Sequence, residues 1–142
     1  MQDYHIKKIL VPLDGSQNSF RGLEKAIYIA RHCQSTITGL CVAHAPPKLA
    51  FDNVDGLNPV IRKKIDTFME EAKITSAKNG IDFTGEVIIG SAEKDILGYA
   101  DRWNFDLIVI GSRGAGSSDE SYLGSIANHI LHKSSIPVLV VK

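Results

Sequence analysis

Residues 6–43 read IKKILVPLDGSQNSFRGLEKAIYIARHCQSTITGLCVA, and the change of hydrophobic period inside them decides the fold. Ile6 to Leu13 is an apolar run of strand length. From Gln17 to about Gln34, Phe20, Leu23, Ile27 and Ala30 recur at spacings of three, four and three, which gathers them on one helical face. Ser16 stands where an N-cap belongs. Thr36 to Ala43 then returns to a β-branched, apolar run, the composition of a strand covered on both faces. A strand, an amphipathic helix and a second buried strand make a βαβ unit, which requires a parallel sheet with helices laid against it.

The alternation continues to the end of the chain. Pro46 and Pro47 stop the second strand, and residues 44–57 (HAPPKLAFDNVDGL) form the longest connection before the C-terminal quarter. A loop of that length in a compact domain is either a functional lid or idle chain, and both readings stand. Asn58 caps a second helix with Pro59 at its first position, Ile61, Ile65, Phe68 and Ala72 mark its buried stripe, and Asn79-Gly80 ends it. Arg62, Lys63 and Lys64 read as a solvated face with Glu70 and Glu71 nearby. Ile81 to Ile89 is a third strand, Ser91 caps a helix with Ile96, Ala100 and Trp103 inward, and Asp106 to Ile110 is a fourth strand. A Gly/Ser loop leads to a last helix with Ala127, Ile130 and Leu131 inward, and Ile136 to Val141 closes the pattern. The expectation is an α/β domain spanning 1–142, with five parallel strands and four helices on both faces.

Composition removes whole classes of function. At 142 residues and 44% apolar side chains, the chain can bury a core without disulfides or metal. Lys and Arg number 16, as do Asp and Glu, and that balance argues against a general nucleic-acid binder, which carries a basic surplus. Cys33 and Cys41 match neither a zinc spacing nor a disulfide framework. His44, His129 and His132 share no ligand spacing, and Asp52 and Asp55 lack the remaining positions of a calcium loop, so no metal site is assigned. No apolar run approaches the ~18 residues of a membrane span, and MQDYHIKK runs straight into a strand with no secretory core. The expectation is a cytoplasmic protein that engages neither membrane nor nucleic acid.

Chemistry concentrates after the fourth strand. Gly111-Ser-Arg-Gly114 is followed by nine residues and then Gly124-Ser125 at the start of the last helix. This is neither a Walker A loop nor a GxGxxG fingerprint. The physics is nonetheless shared, because glycines admit backbone N–H groups to an anion and a helix N-terminus carries about half a positive charge. Arg113 adds a cation, and the competing reading is a loop that needs glycine only to turn. Asp14 closes the first strand, where its carboxylate either accepts from a ribose or forms an Asx-type turn shared with Ser16.

The opening Ile-Leu-Val-Pro-Leu-Asp-Gly-Ser (9–16), the closing Pro137-Val-Leu-Val-Val and the G-x2-G-x9-G-S pattern between them resemble the universal stress protein family, ATP-binding subclass, along the whole chain. The resemblance implies a Rossmann-like, doubly wound sheet in the order 3-2-1-4-5 with ATP above strands one and four. It places Pro12, Leu13, Asp14 and Val42 at adenine and ribose. Gly111, Arg113, Gly114, Gly124, Ser125 and the amide of Ile126 fall at the phosphates. The order agrees with the residues: if Asp14 and Gly111 serve one ligand, their strands must be neighbours. A phospho-acceptor receiver domain, by contrast, needs an Asp where the third strand ends in Ile88-Ile89-Gly90.

Two features leave alternatives. Inside the nine-residue spacer, Asp119 and Glu120 stand where relatives often carry a basic residue. They either require Mg²⁺ to bridge them to a triphosphate, or Ser117 and Glu120 form a capping box that starts the last helix early and puts Gly124 inside it. No base is placed for efficient catalysis, so slow ATP hydrolysis is the upper bound. The family implies a stress-related regulatory role, its rival being a nucleotide-free homodimeric adaptor. In the order 3-2-1-4-5, Ile136 to Val141 lies at the sheet edge with no charge until Lys142, which predicts a homodimer through that strand.

Overall fold

The predicted βαβ unit forms as β1 (Lys8–Pro12), α1 (Gln17–Cys33) and β2 (Thr36–Ala43) in the computed structural model, which describes residues 3–44, 56–114 and 123–142. It continues through α2 (Pro59–Lys78), β3 (Phe83–Ile89), α3 (Ala92–Arg102), β4 (Leu107–Gly111), α4 (Ser125–Lys133) and β5 (Val138–Val141). The strands make one parallel sheet in the order β3-β2-β1-β4-β5, with Ile9 paired to Ile37 on one side and to Leu107 on the other.

The two-residue period of the strands divides the core. Ile9 and Val11 join Leu23, Ile27, Ile65, Phe68 and Val109 under α1 and α2, while Leu10 joins Leu40, Ile96, Ile108 and Ile130 under α3 and α4. Both faces are therefore covered, which is why the central strands tolerate continuous apolar runs. Ser16 caps α1 by accepting from the Ser19 amide at 3.1 Å, and Asn58 caps α2 by accepting from the Val60 amide at 2.8 Å.

Several sequence expectations are corrected. Ser91 sits at the N-cap of α3 without a side-chain cap bond, and its amide instead donates to Asp95 Oδ2 at 2.8 Å. Ile61, Trp103 and Leu131, expected inward, are 46%, 49% and 42% exposed. Ile61 lies in the first turn of α2 and Trp103 at the cap of α3, whereas Leu131 shares its turn with the fully buried Ile130 and stands at the margin of the apolar face.

At the amino edge of the sheet the polar groups are closed among themselves. Asp106 Oδ2 accepts the amides of Lys7 and Lys8, each at 2.9 Å, and Tyr4 donates its hydroxyl to the Asp106 carbonyl at 2.9 Å. Ser35 donates to the Ile6 carbonyl, and Lys8 Nζ lies over the Phe105 ring at 4.6 Å.

Candidate functional site

The carboxyl edge is built differently. From β1 the chain turns into α1 on one face, and from β4 it reaches α4 on the other, so a crevice opens where the strand order reverses. A cavity of about 560 Å³ occupies it, a size suited to a small organic ligand. Its lining brings together every site residue expected from the sequence: Pro12, Leu13, Asp14 and Val42 on the β1 and β2 side, and Gly111, Arg113, Gly114, Gly124, Ser125 and Ile126 on the β4 and α4 side.

The two sides differ in chemistry because different elements supply them. Towards β2 and α3, Leu40, Val42, Ala92 and Ile96 offer an apolar wall. Towards β4, the first helical bond of α4 runs from the Asn128 amide to the Gly124 carbonyl at 2.9 Å. The amides of Ser125, Ile126 and Ala127 therefore have no acceptor within the helix, and the helix dipole adds to their attraction for negative charge. Gly124 is the N-cap of α4. That rules out the alternative in which the last helix encloses Gly124. Ser117, Ser118, Asp119, Glu120 and Ser121 lie outside the described residues, as does most of the loop 44–57.

Asp14 makes the Asx-type turn expected of it. Oδ1 accepts the Ser16 amide at 2.9 Å in an Asx turn, while Oδ2 faces Gly114, 3.3 Å from where a β-carbon there would stand. Gly111 has a different reason to be glycine. A β-carbon would lie 2.6 Å from Asn18 Oδ1 and 2.8 Å from the Asn18 carbonyl oxygen, so α1 can approach the end of β4 only when no side chain intervenes. Below the floor, burial and then the charge of Asp14 push the Cys41 thiol up to about 11. Cys41 thus stays protonated at neutral pH and is no nucleophile. Among the described residues no three His, Cys, Asp or Glu side chains gather as metal ligands.

Sequence reading missed Ser19, Leu40, Ala92, Ile110, Ser112 and Leu123 in the lining. Leu40 carried a usable signal, since it lies two residues from Val42 on the same face of β2. Ile96 and Ala127 were identified as core and prove to be core and cavity wall at once.

These features define an α/β domain with a crevice at its topological switch point. The chain belongs to the universal stress protein family, which it matches over residues 5–142. It is 28% identical over 151 residues to the Universal stress protein YxiE of Bacillus subtilis, covering 95% of this chain and 98% of that one. Among solved structures, a universal stress protein in complex with cAMP superposes with a TM-score of 0.78 at 22% identity, covering 96% of this chain and 97% of the other. The universal stress protein from Archaeoglobus fulgidus in complex with dAMP gives 0.73 at 18% identity, covering 99% and 100%. Among the described residues, no helix is long and apolar enough to cross a membrane.

Proposed function

We propose that the crevice binds an adenine nucleotide, ATP foremost, and that the protein is a cytoplasmic stress-related regulator. One observation carries the reading: a single cavity joins an apolar wall to the first turn of α4, with Asp14 just past the end of β1, the strand between β2 and β4. Adenine suits the wall at Leu13, Val42 and Ile96, ribose hydroxyls suit the Asp14 carboxylate, and phosphates suit Gly114, Gly124, Ser125 and the Ile126 amide beside Arg113. The complexes of the two relatives with cAMP and dAMP support adenine as the base. Asp14 is the only acidic residue among the described lining, so Mg²⁺ would arrive on the phosphates and find one carboxylate there. The reading is one of binding, with no hydrolytic step assigned.

Calorimetric titration with ATP, AMP, cAMP, adenosine and GTP tests it. Saturable binding of the adenine compounds above GTP is expected, and no heat from any of them overturns the proposal. Repeating the ATP titration in EDTA and in excess Mg²⁺ reads the metal dependence directly.

The proposal includes a homodimer through β5. That strand is at the sheet edge, and Leu139 is 39% exposed on it. Leu139→Lys is the discriminating change, because Val141 is buried in the core and a lysine there would unfold rather than repel. Light scattering should show twice the 15.5 kDa chain mass for the wild type and the chain mass for the variant. A wild-type monomer at micromolar concentration removes the dimer from the proposal.

A further inference from the structure

Asn18, in the first turn of α1, is a polar residue only 6% exposed, and its side-chain amide is used at both ends. Oδ1 accepts the backbone N–H of Arg113 at 2.7 Å, and Nδ2 donates to the carbonyl of Val141 at 3.3 Å. The Arg113 N–H belongs to the same peptide unit as the Ser112 carbonyl, and in a trans peptide the two point in opposite directions. That carbonyl accepts the Gly124 amide at 2.7 Å. One rigid plane is therefore gripped by α1 on one side, and on the other it grips the N-cap of α4. The Ser112 amide, in turn, donates to the Val141 carbonyl at 2.7 Å, which fastens the same loop to the end of β5.

We infer that Asn18 is a positioning residue for the anion-binding end of the crevice: its side chain orients the Ser112–Arg113 peptide, and that peptide sets where the first turn of α4 stands. The inference rests on the nucleotide reading above and goes beyond it by naming a residue outside the cavity lining that decides its geometry. Donor and acceptor must both sit on a short, planar side chain, which asparagine supplies. Aspartate lacks the donor and leucine lacks both. Gly111 belongs to the same device, because any β-carbon there would collide with Asn18 Oδ1.

The test is Asn18→Ala, titrated with ATP and with adenosine beside the wild type. Adenosine fills the base and ribose end without reaching α4. ATP affinity should fall about tenfold, the usual scale for losing a buried hydrogen bond, while adenosine affinity stays within about twofold. Unchanged ATP affinity, or equal losses for both ligands, overturns the inference while leaving the nucleotide reading intact. A wild type that binds neither ligand overturns the reading itself and this role with it. Amide hydrogen exchange of the ligand-free wild type needs no variant and covers the case in which Asn18→Ala does not fold. The Arg113 amide, though it lies in a loop, should exchange on the order of a hundredfold slower than an open amide. Free exchange at Arg113 would overturn the inference by itself.

Discussion

The two edges of the sheet put their polar groups to different uses. At the amino edge Asp106 takes the Lys7 and Lys8 amides, Tyr4 reaches the Asp106 carbonyl, and Ser35 reaches Ile6. At the carboxyl edge the Ser112, Arg113 and Gly124 amides are bonded as well, but Asp14 and the first turn of α4 line a cavity. Within one fold, the amino edge uses its polar groups to close the sheet, and the carboxyl edge arranges them around a cavity, where the proposed ligand would sit. Neither hydrophobicity nor strand pairing separates the two, since β1 and β4 are buried along their lengths between them.

That contrast can be broken from either side. The largest effect should come from Gly124→Val, whose β-carbon would stand 3.3 Å from the Ser112 carbonyl oxygen with two methyl groups beyond it. ATP affinity should fall about a hundredfold, and the strain on the Ser112–Gly114 backbone, on the ~1–3 kcal/mol overpacking scale, should lower the melting temperature as well. Equal affinity in calorimetry would remove the phosphates from this end. Asp106→Ala should act on stability alone. Losing the acceptor of two amides costs about 2 kcal/mol and lowers the melting temperature by roughly 5–8 °C with nucleotide affinity unchanged. A change in affinity would show that the edges are not independent.

Smaller changes sharpen the boundary. Ser16→Ala removes the cap of α1 next to the Asp14 turn and should cost about 1 kcal/mol in denaturant unfolding. If ATP affinity also falls, the Asx turn and the cap act together. Gln34 ends α1 in the left-handed region at φ 57, so Gln34→Gly should stabilise by about 0.5 kcal/mol without touching the crevice. Destabilisation would mean that the Gln34 side chain has a role of its own.

What the sequence disclosed follows the same division between local and distant. Leu23, Ile27 and Ala30, or Ile65, Phe68 and Ala72, are legible because a helix repeats its face locally. Ile61 and Trp103 satisfy the same period and still emerge exposed, because periodicity fixes an angle around the helix axis and not where the helix ends, while Leu131 is exposed beside the fully buried Ile130 because it stands at the margin of the apolar face. Asp14 and the glycine spacing were visible as short motifs. Asn18 was not, since a polar residue in the first turn of a helix ordinarily belongs to the surface. Its meaning comes from Arg113, 95 residues away.

Pairing β1 with β4 rather than β3 also imposes an order in time. The crevice takes one wall from residues 12–14 and another from 111–114 and 123–127, and Asn18 finds its second partner across 123 residues, at Val141. A chain emerging from the ribosome can complete α1 and β2 early, yet it has no anion-binding end until the last strand is released and docked. Early formation of α1 and β2 therefore does not complete the crevice, whose α4 side depends on contacts made as late in the chain as Val141.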